Sequence, residues 1–496
     1  MLKIYENLFE RLNKEGILYC HFKSNDHLEA GLNGDTDLDI VVRSDYARAL
    51  TKILIEFDFK RTEAGFGVKN HAREGYLGLD KETKKLVYID LHFTIIIGKN
   101  RIREYALDGL SDQILSTRIL DDKYPIYIAS STYELVLLII RAAIKVRFRD
   151  KLWKLFGKDF FDKSWQVQHD WLLQRTTPDE LVQVSKNLLT TEATIPEDWH
   201  LHYPTIRELF QIKKLFKKKY FGYLKYNDFT SNIGMFAKEV NGLLCFVNRR
   251  YCENRIPVNR RTLAMGGTFI GFIGVDGSGK STHLKKLAEY LSWKLDVSCV
   301  YLGAGDGKSS WHRAILKLLR KVLEKNVNST DVQSVKPDNA EKSSVRKLAK
   351  LVWAVSLMVE KNTKLKRFNR QARRGVVVIA DRYPQSNINN FNDGPLLSGY
   401  RSSINKLNIL RVLAEKEYEV YSGEKYPPPK LIIKLMVSPQ TSIDRGQSAD
   451  IEYLNRRIEA VNAITFKESC KVVGIDASGP EHEVFDEIVQ IVWDNI

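Results

Sequence analysis

The string Gly274-Val275-Asp276-Gly277-Ser278-Gly279-Lys280-Ser281 satisfies GxxxxGK[ST] in full, and it constrains the fold more than anything else in the chain. An apolar run, "TFIGFIG" (268 to 274), leads into it, and "STHLKKLAEYLSW" (281 to 293) leaves it with helical spacing. The context predicts strand, tight loop, helix. Glycines let the backbone curl so that successive N–H groups face one anion, and the following helix turns the positive end of its dipole to the same point. Gly274, Gly277, Ser278, Gly279, Lys280, Ser281 and Thr282 are therefore the candidate contacts to ATP. Lys280 would place its charge on the β- and γ-phosphates, and the Ser281 hydroxyl would ligate Mg2+.

Such a loop belongs in a parallel sheet. "TFIGFIGV", "SCVYLGA", "GVVVIADRY", "KLIIKLMV" and "CKVVGIDA" supply five strand candidates separated by helical stretches. The third ends in Asp381-Arg382-Tyr383. A carboxylate at the C-terminal edge of a neighbouring parallel strand reaches the Mg2+ shell, and the adjacent guanidinium grips a second phosphate. Asp381 is thus a candidate metal ligand and catalytic group, and Arg382 and Tyr383 are candidate substrate contacts.

Residues 268 to 496 resemble thymidylate kinases and their relatives. The likeness rests on "GVDGSGKST", "DRY", "KLIIKLMVSPQTSIDR" and "VVGIDASGPEHEVFDEIVQIV". It implies that Asp276 faces the acceptor's sugar, Arg382 its phosphate, and Asp381 the metal and catalytic centre. The short lid "DRGQSADIEYLNRRIEA" offers Arg445, Arg456 and Arg457 to neutralise charge on the transferring phosphoryl group. After the second strand the chain reads "LGAGDGKSS" (302 to 310), where the family carries an Arg-Glu-Pro-Gly-like turn. Asp306 and Lys308 are accordingly candidates for an altered acceptor pocket. "KLVWAVSLMVEK" (350 to 361) lacks the family's substrate arginine, and "NDGP" (392 to 395) has no place in its pattern. The acceptor is left as a nucleoside monophosphate, a sugar phosphate or a related metabolite.

A second acidic motif, "NGDTDLDIVV" (33 to 42), lies far upstream. Asp37 and Asp39 are two apart in a predicted strand, so both project from one face. Asp90 sits in a second predicted strand, "LVYIDLHFTIII" (86 to 97). Three converging carboxylates would make an oxygen-only Mg2+ site; the plainer alternative is a strand end exposed at a surface loop. With "HFKSNDHLEAGLNGDTDLDI", residues 15 to 150 resemble the nucleotidyltransferase superfamily that includes DNA polymerase β, nearest to a bacterial branch patterned KG…GDxDxxV…IDLH. That resemblance implies metal binding by Asp37, Asp39 and Asp90 and a triphosphate held at the Lys23-Ser24 turn. His92 shares a strand face with Asp90 and is given no role.

At 496 residues the chain exceeds one hydrophobic core. The expected organisation is α/β throughout: an α+β nucleotidyltransferase-like domain (1–125), a helical, basic middle region and linker (126–260), and a P-loop kinase domain with a parallel sheet flanked by helices (261–496). "MLKIYENLFERLNKEG" reads as an amphipathic helix, and "DYARALTKILIEF" (45 to 57) as a helix capped by Asp45. The net charge of +16 is densest in "IKKLFKKKYFGYLKY" (212 to 226) and "NRRYCENRIPVNRR" (248 to 261). Residues 212–261 are either a solvated helix face and linker or a contact for RNA or an anionic surface. No apolar stretch is long enough for a transmembrane segment. Five scattered cysteines indicate neither a disulfide framework nor zinc, so a reducing, cytoplasmic setting is expected. A homodimer is open, since related kinases often pair.

Three functions fit. The first is ATP-dependent phosphoryl transfer to a small acceptor, with a second, nucleotidyltransferase activity at the N-terminus. Another is nucleotidylation of a protein or RNA, with the kinase domain regulatory. The last is a non-catalytic nucleotide-binding protein.

Overall fold

The computed structural model describes residues 1–64, 72–98, 105–146, 160–189, 203–223, 261–303, 340–388, 393–402, 409–446 and 450–496, five scattered residues between 233 and 243, and only the backbone over 340–350. The chain divides into two compact units, Met1–Arg261 and Thr262–Ile496. No helix among the described residues is long and apolar enough to cross a membrane.

In the first unit the strands are β1 (Tyr19–His21), β2 (Leu38–Val42), β3 (Lys60–Glu63), β4 (Arg73–Leu79), β5 (Leu86–His92), β6 (Ile95–Ile97), β7 (Tyr105–Leu107), β8 (Ile119–Leu120) and β9 (Tyr127–Ile128). β6 and β7 pair with each other, and the rest form a mixed sheet in the order β3-β4-β5-β2-β1-β9-β8. The predicted run 86–97 breaks into β5 and β6. Alternation along β2 shows why both sheet faces are covered. Ile40 and Val42 pack with Tyr5, Leu8, Phe9 and Leu12 of the first helix and with Leu50, Ile53 and Leu54 of the helix Ala47–Glu56. Val41, between them, packs on the opposite side with the helix Ser131–Lys145. Each fully buried aliphatic side chain of this kind contributes roughly 1.5–3 kcal/mol. Residues on both sides of position 125 share that second cluster. Asp45 does not cap the helix that follows it. It pairs with Arg43 at 2.7 Å, and a 3-10 turn, Ser44–Tyr46, delays the helix to Ala47.

The basic run begins in the helix Ile206–Lys219, opened by a capping box between Thr205 and Glu208. Ile206, Leu209, Ile212 and Phe216 are buried in the same cluster. Two lysines donate to backbone carbonyls: part-buried Lys213 through Nζ to Ile144 O at 3.0 Å and Val146 O at 2.5 Å, and exposed Lys219 through Nζ to Asn187 O at 2.5 Å. Both satisfy carbonyls at the C-terminal ends of neighbouring helices, where the helix itself offers no donor. Most of 224–260 lies outside the described residues.

The second unit opens with β10 (Thr262–Leu263). It continues with β11 (Phe269–Gly274), β12 (Val297–Tyr301), β13 (Val377–Asp381), β14 (Leu431–Met436) and β15 (Lys471–Asp476). The last five are the predicted strands, and they form one sheet, all parallel, in the order β12-β13-β11-β14-β15. β11 and β13 are buried along nearly their whole length, which is what continuous runs such as "VVIA" require. The chain leaves β11 towards β12 on one side and returns to β14 on the other. Open α/β sheets place ligands at that reversal, beyond the carboxyl ends of the strands.

Candidate functional site

At the C-terminal end of β11 the chain turns through Gly277 and Gly279, both left-handed, with φ of 83° and 84°. Only glycine takes that conformation without strain. At Gly274 a Cβ would lie 2.6 Å from Leu435 O. The helix Lys280–Leu291 starts directly at the loop's end, with Gly279 as its N-cap residue. Lys280 is buried and donates to Val275 O at 2.6 Å. Burial, with Arg382 beyond it, pushes the Lys280 ammonium down to about 8 against the pull of Asp276 and Asp381.

β13 sets its own end beside this loop. Phe272 is the register partner of Asp381, and Arg382 N donates to Phe272 O at 3.0 Å. Ser281 Oγ donates to Asp381 Oδ2 at 2.8 Å, while Asp381 Oδ1 is buried without a hydrogen-bond partner. One hydroxyl and one carboxylate with an unspent buried oxygen suit Mg2+, a hard cation that takes few protein oxygens and keeps the rest for phosphate and water. A cleft of about 820 Å³ is lined by Asp276, Gly277, Gly279, Lys280, Ser281, Thr282, Asp381, Arg382 and Arg445, together with Tyr301 from the end of β12.

The arginines divide. Arg382 Nη2 and Arg457 Nη1 each stand 2.8 Å from an oxygen of Asp276. Burial works against charge on Asp276, but Arg382, Arg457 and Lys280 outweigh it and hold the carboxyl below its usual range. Arg445 donates to Ala477 O at 2.7 Å and Gly277 O at 3.4 Å. Arg456 points elsewhere: its side chain is 70% exposed and pairs with Glu452. Tyr383 is buried against Phe269 and Phe466, so it serves the core. Ser278 Oγ is buried without a hydrogen-bond partner. Asp306 and Lys308 lie outside the described residues.

In the first unit, the parallel pairing of β2 and β5 sets Asp39 directly beside Asp90. His92 joins them, and one ligand atom from each of the three lies within 4.8 Å of the others. Asp37 precedes β2 and is not in this group. Both carboxylates already face cations: Lys23 Nζ stands 2.8 Å from Asp39 Oδ1, and Arg73 pairs with Asp90. Burial alone would raise the Asp39 carboxyl, yet Lys23 and His92 hold it well below the usual range. Burial pushes the His92 imidazole down to about 4, leaving it neutral at pH 7. The donor set gathered here is therefore one nitrogen and two carboxylates, and not three carboxylates. It fits a divalent ion only in exchange for the cations now on the carboxylates, Lys23 on Asp39 and Arg73 and Arg261 on Asp90. Ser24 has φ of 61°, a left-handed position glycine would take freely. Its neighbour Asn25 is braced by Glu134, which accepts from Asn25 Nδ2 at 2.6 Å and from Gln168 Nε2 at 3.0 Å.

No family model matches the chain. Over 226 residues, 45% of this chain and 86% of the relative, it is 30% identical to the uncharacterized ATP-binding protein YghR of Escherichia coli strain K12. The chain belongs to the YghR family. A second member, the uncharacterized ATP-binding protein YghS of the same strain, is 24% identical over 229 residues, 91% of its length. More than half of the present sequence lies outside the YghR match.

The geometry brings three further residues to these sites. Tyr301 was legible only as the last residue of a parallel strand. His92 was legible as a neighbour two residues from Asp90, on the same strand face. Asp393, from "NDGP", pairs with Arg382.

Proposed function

We propose that Thr262–Ile496 binds ATP with Mg2+ and transfers its γ-phosphoryl group to a small acceptor that carries an anionic group, in the manner of thymidylate kinase-like enzymes. A nucleoside monophosphate or a related phosphorylated metabolite meets that description. The observation that carries the reading is the placement of Arg382 and Arg457 on the two oxygens of Asp276, beside the cleft that Lys280, Ser281 and Asp381 line. Phosphoryl transfer asks a protein for positioning and for positive charge around the moving group more than for covalent chemistry.

Ser281 and Asp381 would hold Mg2+, which when bound would supply positive charge against the phosphates. Lys280 supplies the point charge for the β- and γ-phosphates, and Arg445 stands over the loop at Gly277. Asp276 takes the place of an anion between two guanidiniums, and the acceptor's charged group would displace it from them. The test is purified protein with γ-labelled ATP and Mg2+ against nucleoside monophosphates and sugar phosphates, with Lys280→Ala as control. Label moving to an acceptor in the wild type alone supports the reading; equal transfer by Lys280→Ala removes it.

A second activity is favoured by one observation, the pairing of Asp39 with Asp90 beside Lys23. The first unit would then transfer a nucleotidyl group from an NTP, either to the kinase's small substrate or to a protein or RNA. An α-labelled NTP, with Asp39→Asn as control, tests this. RNA contact through 212–261 would show as binding that collapses between low and moderate salt.

A further inference from the structure

Arg382 sits between two carboxylates of unlike character. Its Nη2 meets Asp276 Oδ1 at 2.8 Å, and its Nη1 faces Asp393 Oδ2 at 3.5 Å. The Asp276 side chain is 37% exposed, while that of Asp393 is only 5% exposed. An incoming anion can therefore exchange with Asp276, in contact with water, whereas Asp393 is sealed in place. Behind Asp393 lies a second cation, the buried Lys361, whose side chain is 4% exposed. Its Nζ stands 3.9 Å from Asp393 Oδ1, and it donates to Asp393 O at 3.3 Å. The Lys361 ammonium also rests 4.3 Å from the centre of the Tyr421 ring.

The turn that carries Asp393 is held from several sides. Asp393 has φ of 64°, which aspartate and asparagine tolerate better than most side chains do. A Cβ on the next residue, Gly394, would lie 1.8 Å from Ile388 O, so the two segments touch backbone to backbone. Gln385 bonds both the N–H and the carbonyl of Ile388. Buried Glu417 accepts from Leu396 N at 3.1 Å and Leu397 N at 2.7 Å. Unfavourable backbone at a non-glycine residue persists where the surroundings over-determine it, and such places cluster at functional sites.

We propose that Asp393, braced by Lys361, is a positioning residue that fixes the Arg382 guanidinium at the cleft, so that an acceptor's anionic group replaces Asp276 without Arg382 moving. What Arg382 contacts rests on the phosphotransferase reading above; how Arg382 is held does not. A buried, fully paired carboxylate preorganises its partner, and an arginine already in place loses less freedom when the ligand arrives.

The experiment uses the full chain labelled with 15N-arginine, the Arg382 side-chain signal being assigned from its loss in Arg382→Lys. Asp393→Asn keeps a side chain that accepts the left-handed backbone and removes the charge. Broadening of the Arg382 signal in Asp393→Asn is expected, with a KM for the acceptor raised about tenfold, kcat within about twofold and the KM for ATP unchanged. A merely structural loss would lower kcat and ATP affinity together. An unchanged Arg382 signal with unchanged acceptor KM overturns the proposal. If Asp393→Asn does not fold, Lys361→Met keeps the packing on Tyr421 and removes the brace; a sharp, unshifted Arg382 signal there overturns it equally. If the wild type phosphorylates nothing but the Arg382 signal still broadens in Asp393→Asn, the phosphotransferase reading falls and the positioning of Arg382 stands.

Discussion

Ser281 and Asp381 lie a hundred residues apart in sequence and share a hydrogen bond of 2.8 Å, the hydroxyl donating to one carboxylate oxygen while the other stays buried and unpartnered. Asp381→Asn is expected to weaken Mg2+-dependent ATP binding at least about tenfold. Calorimetric titration with ATP in Mg2+ and in EDTA checks it. Equal losses in both would show that Asp381 serves the loop and not the ion.

Lys280→Ala should lower phosphoryl transfer on the order of 10² to 10³-fold, the usual cost of removing one charge-stabilising donor. Its amine also donates to Val275 O, so a modest fall in Tm is expected, with the far-UV circular dichroism of the wild type retained. Turnover near the wild-type rate would place the chemistry elsewhere.

Adjacent arginines should differ. Arg456→Ala is expected to leave kcat/KM within about twofold, because an exposed i,i+4 pair contributes only about 0.3–0.5 kcal/mol. Arg457→Ala leaves Asp276 with one guanidinium in place of two, and kcat/KM for the acceptor should fall about tenfold or more. Steady-state kinetics on the two variants decides between them; the reverse ranking would contradict the structure.

Glu134 gives a pH signature in the first unit. Burial pushes its carboxyl up to about 6, although Asn25 donates two bonds to it. The folded state then binds the proton more tightly than the unfolded chain. The stability it confers is fully present below about 4.5 and is lost as pH rises through about 6. The unfolding free energy of the wild type, measured relative to Glu134→Gln, should fall by about 2 kcal/mol between pH 4 and pH 7. Parallel stability curves for the two proteins would mean that Glu134 does not titrate in that window.

The parallel sheet and its loop were legible because local chemistry dictates both. Short β-branched runs such as "VVIA", set between helical stretches, suit strands buried on two faces, and three glycines at fixed spacing before Lys280 define one kind of turn. Asp381 was legible for the same reason, as a charge at the end of such a run. What escaped depended on phase or on distant packing. Arg456 and Arg457 look equivalent in sequence, yet Leu454 and Val461 are the buried residues of their helix. Arg457 lies three after one and four before the other, which puts it on the inward face. Asp37 and Asp39 obey the strand period only if the strand includes both, and β2 begins at Leu38. The partnership of Asp393 with Lys361 joins a turn to a long helix through burial that no spacing rule encodes.

The carbonyl bonds of Lys213 and Lys219 bear on any search for a polyanion partner by charge-reversal scanning. Glutamate at either position would confront a helix's terminal carbonyls with another acceptor, so those variants would lose soluble protein before they lost affinity. A scan scored only by retention on a polyanion column would rank them as strong binding determinants. Scored against yield, the two would drop out, and the remaining members of the run would be left to show whether the charge there serves recognition.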